Sequence, residues 1–176
     1  MHLSNYKKYY FIDQFNPRHL KKLNKNITLI WRSKYKENNI ETIHKLAKFC
    51  KLNRLSLILA NNVKLAIKLK LDGAYISASN KDLSFNSYKF KKNFKILGSA
   101  HNISELNIKK VQRINGIFIS PVFKKKTNQA LGIHRANNLL KNYKINKIAL
   151  GGINNKNIKL LKLVKFDGFA GIKYFE

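Results

Sequence analysis

The chain has 176 residues, 44% of them apolar, and a formal net charge of +28 from 36 lysines and arginines against eight acidic residues. That length suits one domain with a real core, and no apolar run approaches the roughly 20 residues of a membrane span. Eight carboxylates leave little for paired acids or metal cages, and a single cysteine, Cys50, excludes an internal disulfide.

Tyr9 to Asp13 is an apolar run and reads as a first strand. Pro17 suits a first helical turn, with a short helix over Arg18 to Asn26. Ile27 to Arg32 is a second strand. Asn39 can cap a helix over Ile40 to Leu52, whose apolar face is Ile43, Leu46, Ala47 and Cys50. Leu55 to Ala60 is a third strand, followed by Asn61, Asn62 and a helix over Val63 to Leu71. Ala74 to Ser77 is a fourth strand, and Lys81 to Asn93 a weaker helix. Lys95 to Ala100 is a fifth strand, with a helix over Ile103 to Ile114. Ile117 to Val122 is a sixth strand. A basic loop, Phe123 to Gly132, leads to a helix near His134 to Tyr143. Lys147 to Gly152 is a strand that stops at two glycines. Lys156 to Lys165 then has helical spacing through Ile158, Leu161 and Val164, and Phe169 to Phe175 is the last strand.

Strands and helices alternate, and the strands are continuously apolar, as a parallel sheet covered on both faces requires. A helix ending in Asp-Gly or Asn-Gly before a strand recurs at Gly73, Gly116 and Gly168. Eight strands and this quasi-repeat favour a compact (β/α)8 TIM barrel over residues 1–176, with an open doubly wound sheet as the alternative. Glu176 follows the eighth strand directly, so a final outer helix is expected to be missing. Pairing with a second copy is one way to close such a barrel.

The lysines are spread over nearly every helix and loop, without a basic tail. They read as a solvated exterior rather than a nucleic-acid stripe. Met1 to Lys8 lacks the apolar segment of a signal peptide, so a cytoplasmic protein is expected. His2, His19, His44 and His134 show no ligand spacing, so no metal site is expected. Gly151 and Gly152 leave backbone N–H groups bare before a helix start, an arrangement that favours phosphate, although an ordinary turn explains them equally well.

Four segments carry a resemblance. They are Leu71-Asp-Gly-Ala-Tyr-Ile76, Ile96-Leu-Gly-Ser-Ala-His101, Gly116-Ile-Phe-Ile-Ser-Pro-Val-Phe123, and Ile148-Ala-Leu-Gly-Gly-Ile153 followed by Asp167-Gly168. In this order and spacing the chain resembles the thiamine phosphate synthase and TenI (thiazole tautomerase) family of compact barrels, over nearly its whole length. The resemblance implies a small phosphorylated heterocycle, thiazole phosphate or thiamine phosphate, as ligand. It implies that Arg32 and Lys34 stand where the synthase faces its pyrimidine diphosphate. Ser99 and His101 fall on the motif after strand five, and Thr127 on a phosphate-contacting threonine. Gly151 and Gly152 match the glycines that hold the thiazole phosphate. Lys125 in the loop and Lys173, at a position where relatives have a small residue, are further candidates for phosphate. His101 and Asp13 are the candidates for proton transfer.

The departures from the pattern are informative. The two aspartates that hold magnesium in the synthase are replaced by Asn61 and Asn80. TenI-type members also lack them and move a proton on a thiazole phosphate carboxylate. The expectation is therefore a TenI-like, metal-independent mode without cofactor. Magnesium enters only under the alternative of a true synthase. A non-catalytic ligand-binding member and a charge-driven nucleic-acid binder are the remaining readings.

Overall fold

A computed structural model describes residues 6–33, 40–123 and 129–176. Eight strands form a closed parallel barrel in chain order. They are β1 (Lys7–Ile12), β2 (Ile27–Trp31), β3 (Ser56–Ala60), β4 (Gly73–Ile76), β5 (Lys95–Ala100), β6 (Gly116–Ile119), β7 (Asn146–Leu150) and β8 (Gly168–Gly171). The ring closes where β8 pairs with β1, Lys7 opposite Gly168 and Tyr10 opposite Gly171. The helices are α1 (Pro17–Lys21), α2 (Ile40–Leu52), α3 (Val63–Lys68), α4 (Ile103–Val111) and α5 (Ile133–Leu139).

Two apolar layers follow from the alternation of side chains along each strand. Inside the barrel lie Tyr9, Phe11, Ile30, Ile58, Tyr75, Leu97, Phe118 and Ile148, all buried. Phe11, Tyr75 and Phe118 form a triangle of edge-to-face rings with centroids 5.1 to 5.7 Å apart. The larger layer lies between the strands and the helices and takes in Ile43, Leu46 and Cys50 of α2. Ala47, expected on that face, is only partly buried against it.

The recurring Asx-Gly pairs are a strand-joining device at the barrel's lower end. The Asp72 N–H donates to the Leu57 carbonyl (3.0 Å), and the Asp72 carboxylate accepts from the Leu57 N–H (2.7 Å). Asn115 makes the same pair of bonds to Ile96, and Asp167 to Lys147. The carbonyls of the three then accept from Lys95, Asn146 and Lys7 on the following strand. Each Asx side chain thus supplies a ladder bond that its own strand has not yet begun to make.

Two expected helices are not α-helical. Within Lys81 to Asn93 only a 3-10 turn forms, at Ser84–Ser87. The Asn80 side chain accepts from the Asp82 N–H, and the Asp82 carboxylate accepts from the Ser84 N–H and hydroxyl, so side chains outcompete the helix for this backbone. Lys156 to Lys165 forms a 3-10 helix at Ile158–Leu163, which buries Ile158 and Leu161 three residues apart. Upstream of it, the Asn154 side chain accepts from the N–H groups of Lys156 and Asn157. Asn39 lies outside the described residues. After β8 the chain forms a turn closed by Phe175 N–H to the Ile172 carbonyl (3.0 Å). Tyr174 and Phe175 pack on Phe169 at 4.9 and 6.1 Å, so this turn covers the outward ring of the last strand.

Candidate active site at the barrel mouth

The chemistry-bearing side chains gather at the strand C-termini, the usual site of function in such barrels. Arg32 follows β2, and its N–H donates to the Ile12 carbonyl (2.8 Å), which fixes it beside the end of β1. Its guanidinium sits over the Phe11 ring at 5.0 Å. Arg32 and Asp13 line one cleft of about 430 Å³, together with Tyr10, Gln14, His19 and Glu176. Burial holds the Tyr10 phenol above its ordinary pKa, with smaller contributions from Glu176 and Asp13.

Below the mouth, Tyr75 donates to the buried Ser99 hydroxyl at 2.8 Å. Burial raises the Tyr75 pKa, while the Ser99 bond and the positive charge of Arg32 pull the other way. Arg32, Tyr75 and Ser99 therefore belong to one electrostatic neighbourhood. Tyr75 went unrecognised in the sequence, where a tyrosine in an apolar strand reads as packing.

Asn61 adopts a left-handed conformation with φ of 56°, tolerated by asparagine. Its N–H donates to the Tyr75 carbonyl (2.7 Å), and its side-chain oxygen accepts from the Ser77 N–H (2.9 Å) and the Asn80 amide (3.3 Å). The Asn80 oxygen is taken by the Asp82 N–H. Behind this rim the amine of Lys109, on α4, donates to the Asn80 carbonyl (2.8 Å). Burial pushes the Lys109 pKa down to about 8, against a smaller pull from Glu105. These residues do not fit magnesium: both positions are neutral amides whose oxygens already accept from protein donors, with a lysine bound to the same loop. Among the described residues, no group of three or more His, Cys, Asp or Glu side chains could hold a metal ion.

His101 follows β5 at the start of α4. Asn102 caps the helix by accepting from the Glu105 N–H (2.9 Å). Glu105 reaches back to the His101 N–H (2.7 Å) and to its Nδ1 (2.9 Å). A carboxylate at Nδ1 favours the tautomer protonated there and leaves the lone pair on Nε2. The ring is half exposed, at 51%. The Asn102-x-x-Glu105 spacing is a capping signature that could have marked Glu105 as the partner of this histidine.

Gly151 and Gly152 follow β7 with φ of 94° and 70°, a turn that only glycine makes without strain. The carbonyl of Gly151 accepts from the Phe123 N–H (3.0 Å), and that of Gly152 from the Asn157 side-chain amide (2.7 Å). Both glycine carbonyls are thus bonded within the protein. His101 and the glycines stand two strands apart on the same rim, an arc of about 10 Å at the usual strand spacing. The cleft holding Asp13 and Arg32 lies at β1 and β2, across the ring from His101 and two to three strands from the glycines. Lys173 is exposed and does not line that cleft. Lys34, Lys125 and Thr127 lie outside the described residues.

A family model described as thiamine monophosphate synthase matches residues 20–175. The chain belongs to that family. A thiamine-phosphate synthase of Prochlorococcus marinus subsp. pastoris is 30% identical over 141 residues, 76% of this chain and 40% of the relative. This chain thus spans less than half the length of that relative. Among solved structures, a thiamine phosphate pyrophosphorylase from Pyrococcus furiosus superposes with a TM-score of 0.74 at 16% identity, covering 98% of this chain and 88% of the other. One from Bacteroides thetaiotaomicron gives 0.62 at 19% identity, covering 95% and 82%. At these identities the two structures speak for the barrel fold. Among the described residues, no helix is long and apolar enough to cross a membrane.

Proposed function

We propose that this chain is a thiamine-biosynthesis barrel that binds thiazole phosphate or thiamine phosphate at its mouth and moves a proton on the ligand without a divalent ion. The observation that carries this reading is the Asn61–Asn80 rim, where amides stand at the family's magnesium positions with their oxygens already bonded. The Gly151-Gly152 turn would grip the phosphate through its amides. Arg32, three strands further round the rim, would complete the charge match.

In this reading His101 is the proton carrier. Its Nε2 accepts a proton from a ring-bound carbon of the ligand and returns it at another position, a shift that conserves atoms and charge. The Glu105 carboxylate at Nδ1 stabilises the transient imidazolium. Asp13, across the ring, has its place in the cleft with Arg32 rather than beside this histidine. A positioned acid–base group is worth about 10²- to 10⁴-fold, so His101→Ala should slow isomerisation by that factor.

A synthase is the second reading, favoured by the name of the Prochlorococcus relative. One assay separates the two. The chain is given magnesium, a pyrimidine diphosphate and thiazole phosphate, and in parallel a thiazole phosphate carboxylate. Isomerisation without metal, with no thiamine phosphate formed, is the expected result; robust thiamine phosphate formation refutes the metal-free mode. No turnover in either arm, with ligand still bound, assigns a non-catalytic member. Binding to nucleic acid that weakens steeply with salt would revive the charge-driven alternative.

A further inference from the structure

Lys109 is 1% exposed, an unusual position for a lysine. Its stem runs through a slot left by Gly98 of β5: a Cβ there would lie 2.9 Å from the Lys109 Cδ. The amine emerges beneath the loop after β4 and donates to the Asn80 carbonyl and to the Gln112 side-chain oxygen, both at 2.8 Å. Gln112 in turn donates to the carbonyls of Asn80 (3.0 Å) and Asp82 (2.8 Å). Every acceptor around the amine is neutral. Among the described residues, no carboxylate lies within ion-pair distance of it.

While protonated, below its pKa of about 8, the buried amine carries a charge that its neutral hydrogen-bond partners do not cancel and little water screens, Glu105 being the carboxylate that acts on it from a distance. Its field reaches the rim through the Asn80 peptide, whose side chain bonds Asn61. We infer that Lys109 is the resident cation of this rim: it supplies from within the positive charge that a divalent ion supplies in the acidic form of the site, and it opposes binding of such an ion. Asn61, Asn80 and Lys109 then form one coherent set. Two carboxylates with a divalent ion sum to zero, and two amides with an ammonium sum to +1, leaving the rim suited to anions. This inference rests on the metal-free reading above.

The test is manganese binding to the full chain, followed by electron paramagnetic resonance. Three variants are compared with the wild type: N61D/N80D, N61D/N80D/K109M and N61D/N80D/Q112E. The last keeps the lysine and sets a carboxylate against the amine while giving up the two bonds from the Gln112 amide to the Asn80 and Asp82 carbonyls, a different defect from that of the methionine variant. Circular dichroism melts check that every variant retains the fold. The expected result is no binding by the wild type and weak binding by N61D/N80D. Either triple variant should bind roughly tenfold more tightly or better than N61D/N80D, the effect of relieving one nearby like charge. Triple variants that bind manganese no more tightly than N61D/N80D would overturn the role of Lys109. Magnesium-dependent thiamine phosphate formation by the wild type would instead sink the metal-free reading, whatever the manganese data.

Discussion

Alanine replacements of Gly73, Gly116 and Gly168 separate close backbone approach from turn geometry. All three follow an Asx residue that joins two strands, and none has a left-handed φ. The obstacle differs. A Cβ on Gly73 would be driven into the carbonyl oxygen of Lys95, and one on Gly168 into that of Lys7. Both oxygens belong to strands paired within a closed ring, so neither can retreat without breaking ladder bonds. At Gly116 the nearest atom is the tip of the Leu97 side chain, 3.0 Å away, which can turn aside. Overpacking costs about 1–3 kcal/mol, and a backbone obstacle belongs at or above the upper end, so Gly73→Ala and Gly168→Ala should each lose about 3 kcal/mol and Gly116→Ala about 1. With about 2.1 cal/mol/K per residue, 176 residues give an unfolding entropy of ~0.37 kcal/mol/K. The midpoints should then fall by about 8 °C for the first two and about 3 °C for the third in calorimetric melts. Equal losses at all three positions would refute the reasoning and place the need for glycine in the turn.

Tyr75→Phe removes the 2.8 Å bond to buried Ser99 and leaves that hydroxyl without its donor, a cost of about 1–2 kcal/mol, readable as a lower midpoint in the same melts. Lys109 gives a pH signature. Its pKa of about 8 lies below the unfolded value, so between these the unfolded chain binds more protons and stability rises with pH. The penalty is complete below about pH 8 and disappears above the unfolded lysine pKa of about 10.4. Stability should climb more steeply over that window in the wild type than in Lys109→Met, and parallel curves would exclude the lysine as the source.

The local pattern of this chain carried its barrel. Strands such as Lys95–Ala100 and helices such as Ile40–Leu52 are legible because continuous apolar runs and a helical stripe of Ile43, Leu46 and Cys50 are properties of short stretches. The turns that join them announce themselves as Asp72-Gly73, Asn115-Gly116 and Asp167-Gly168. Where asparagine, aspartate and serine cluster, at Asn80 to Ser84, local pattern misled. There the side chains bind the backbone that a helix would need.

The site is legible only in part, for the same reason. That residues 61 and 80 are asparagines is visible in a string of letters, as is a histidine after a strand. That Glu105 turns back onto His101, that Tyr75 reaches Ser99, and that Lys109 lies buried beneath Asn80 depend on contacts between residues up to 29 positions apart. A lysine's charge is set by what encloses it, and enclosure is created only when β5 presents Gly98 to α4 and the loop after β4 folds over both. Sequence fixes which groups are present; the closed ring decides which of them meet, because it brings distant strand ends to one rim.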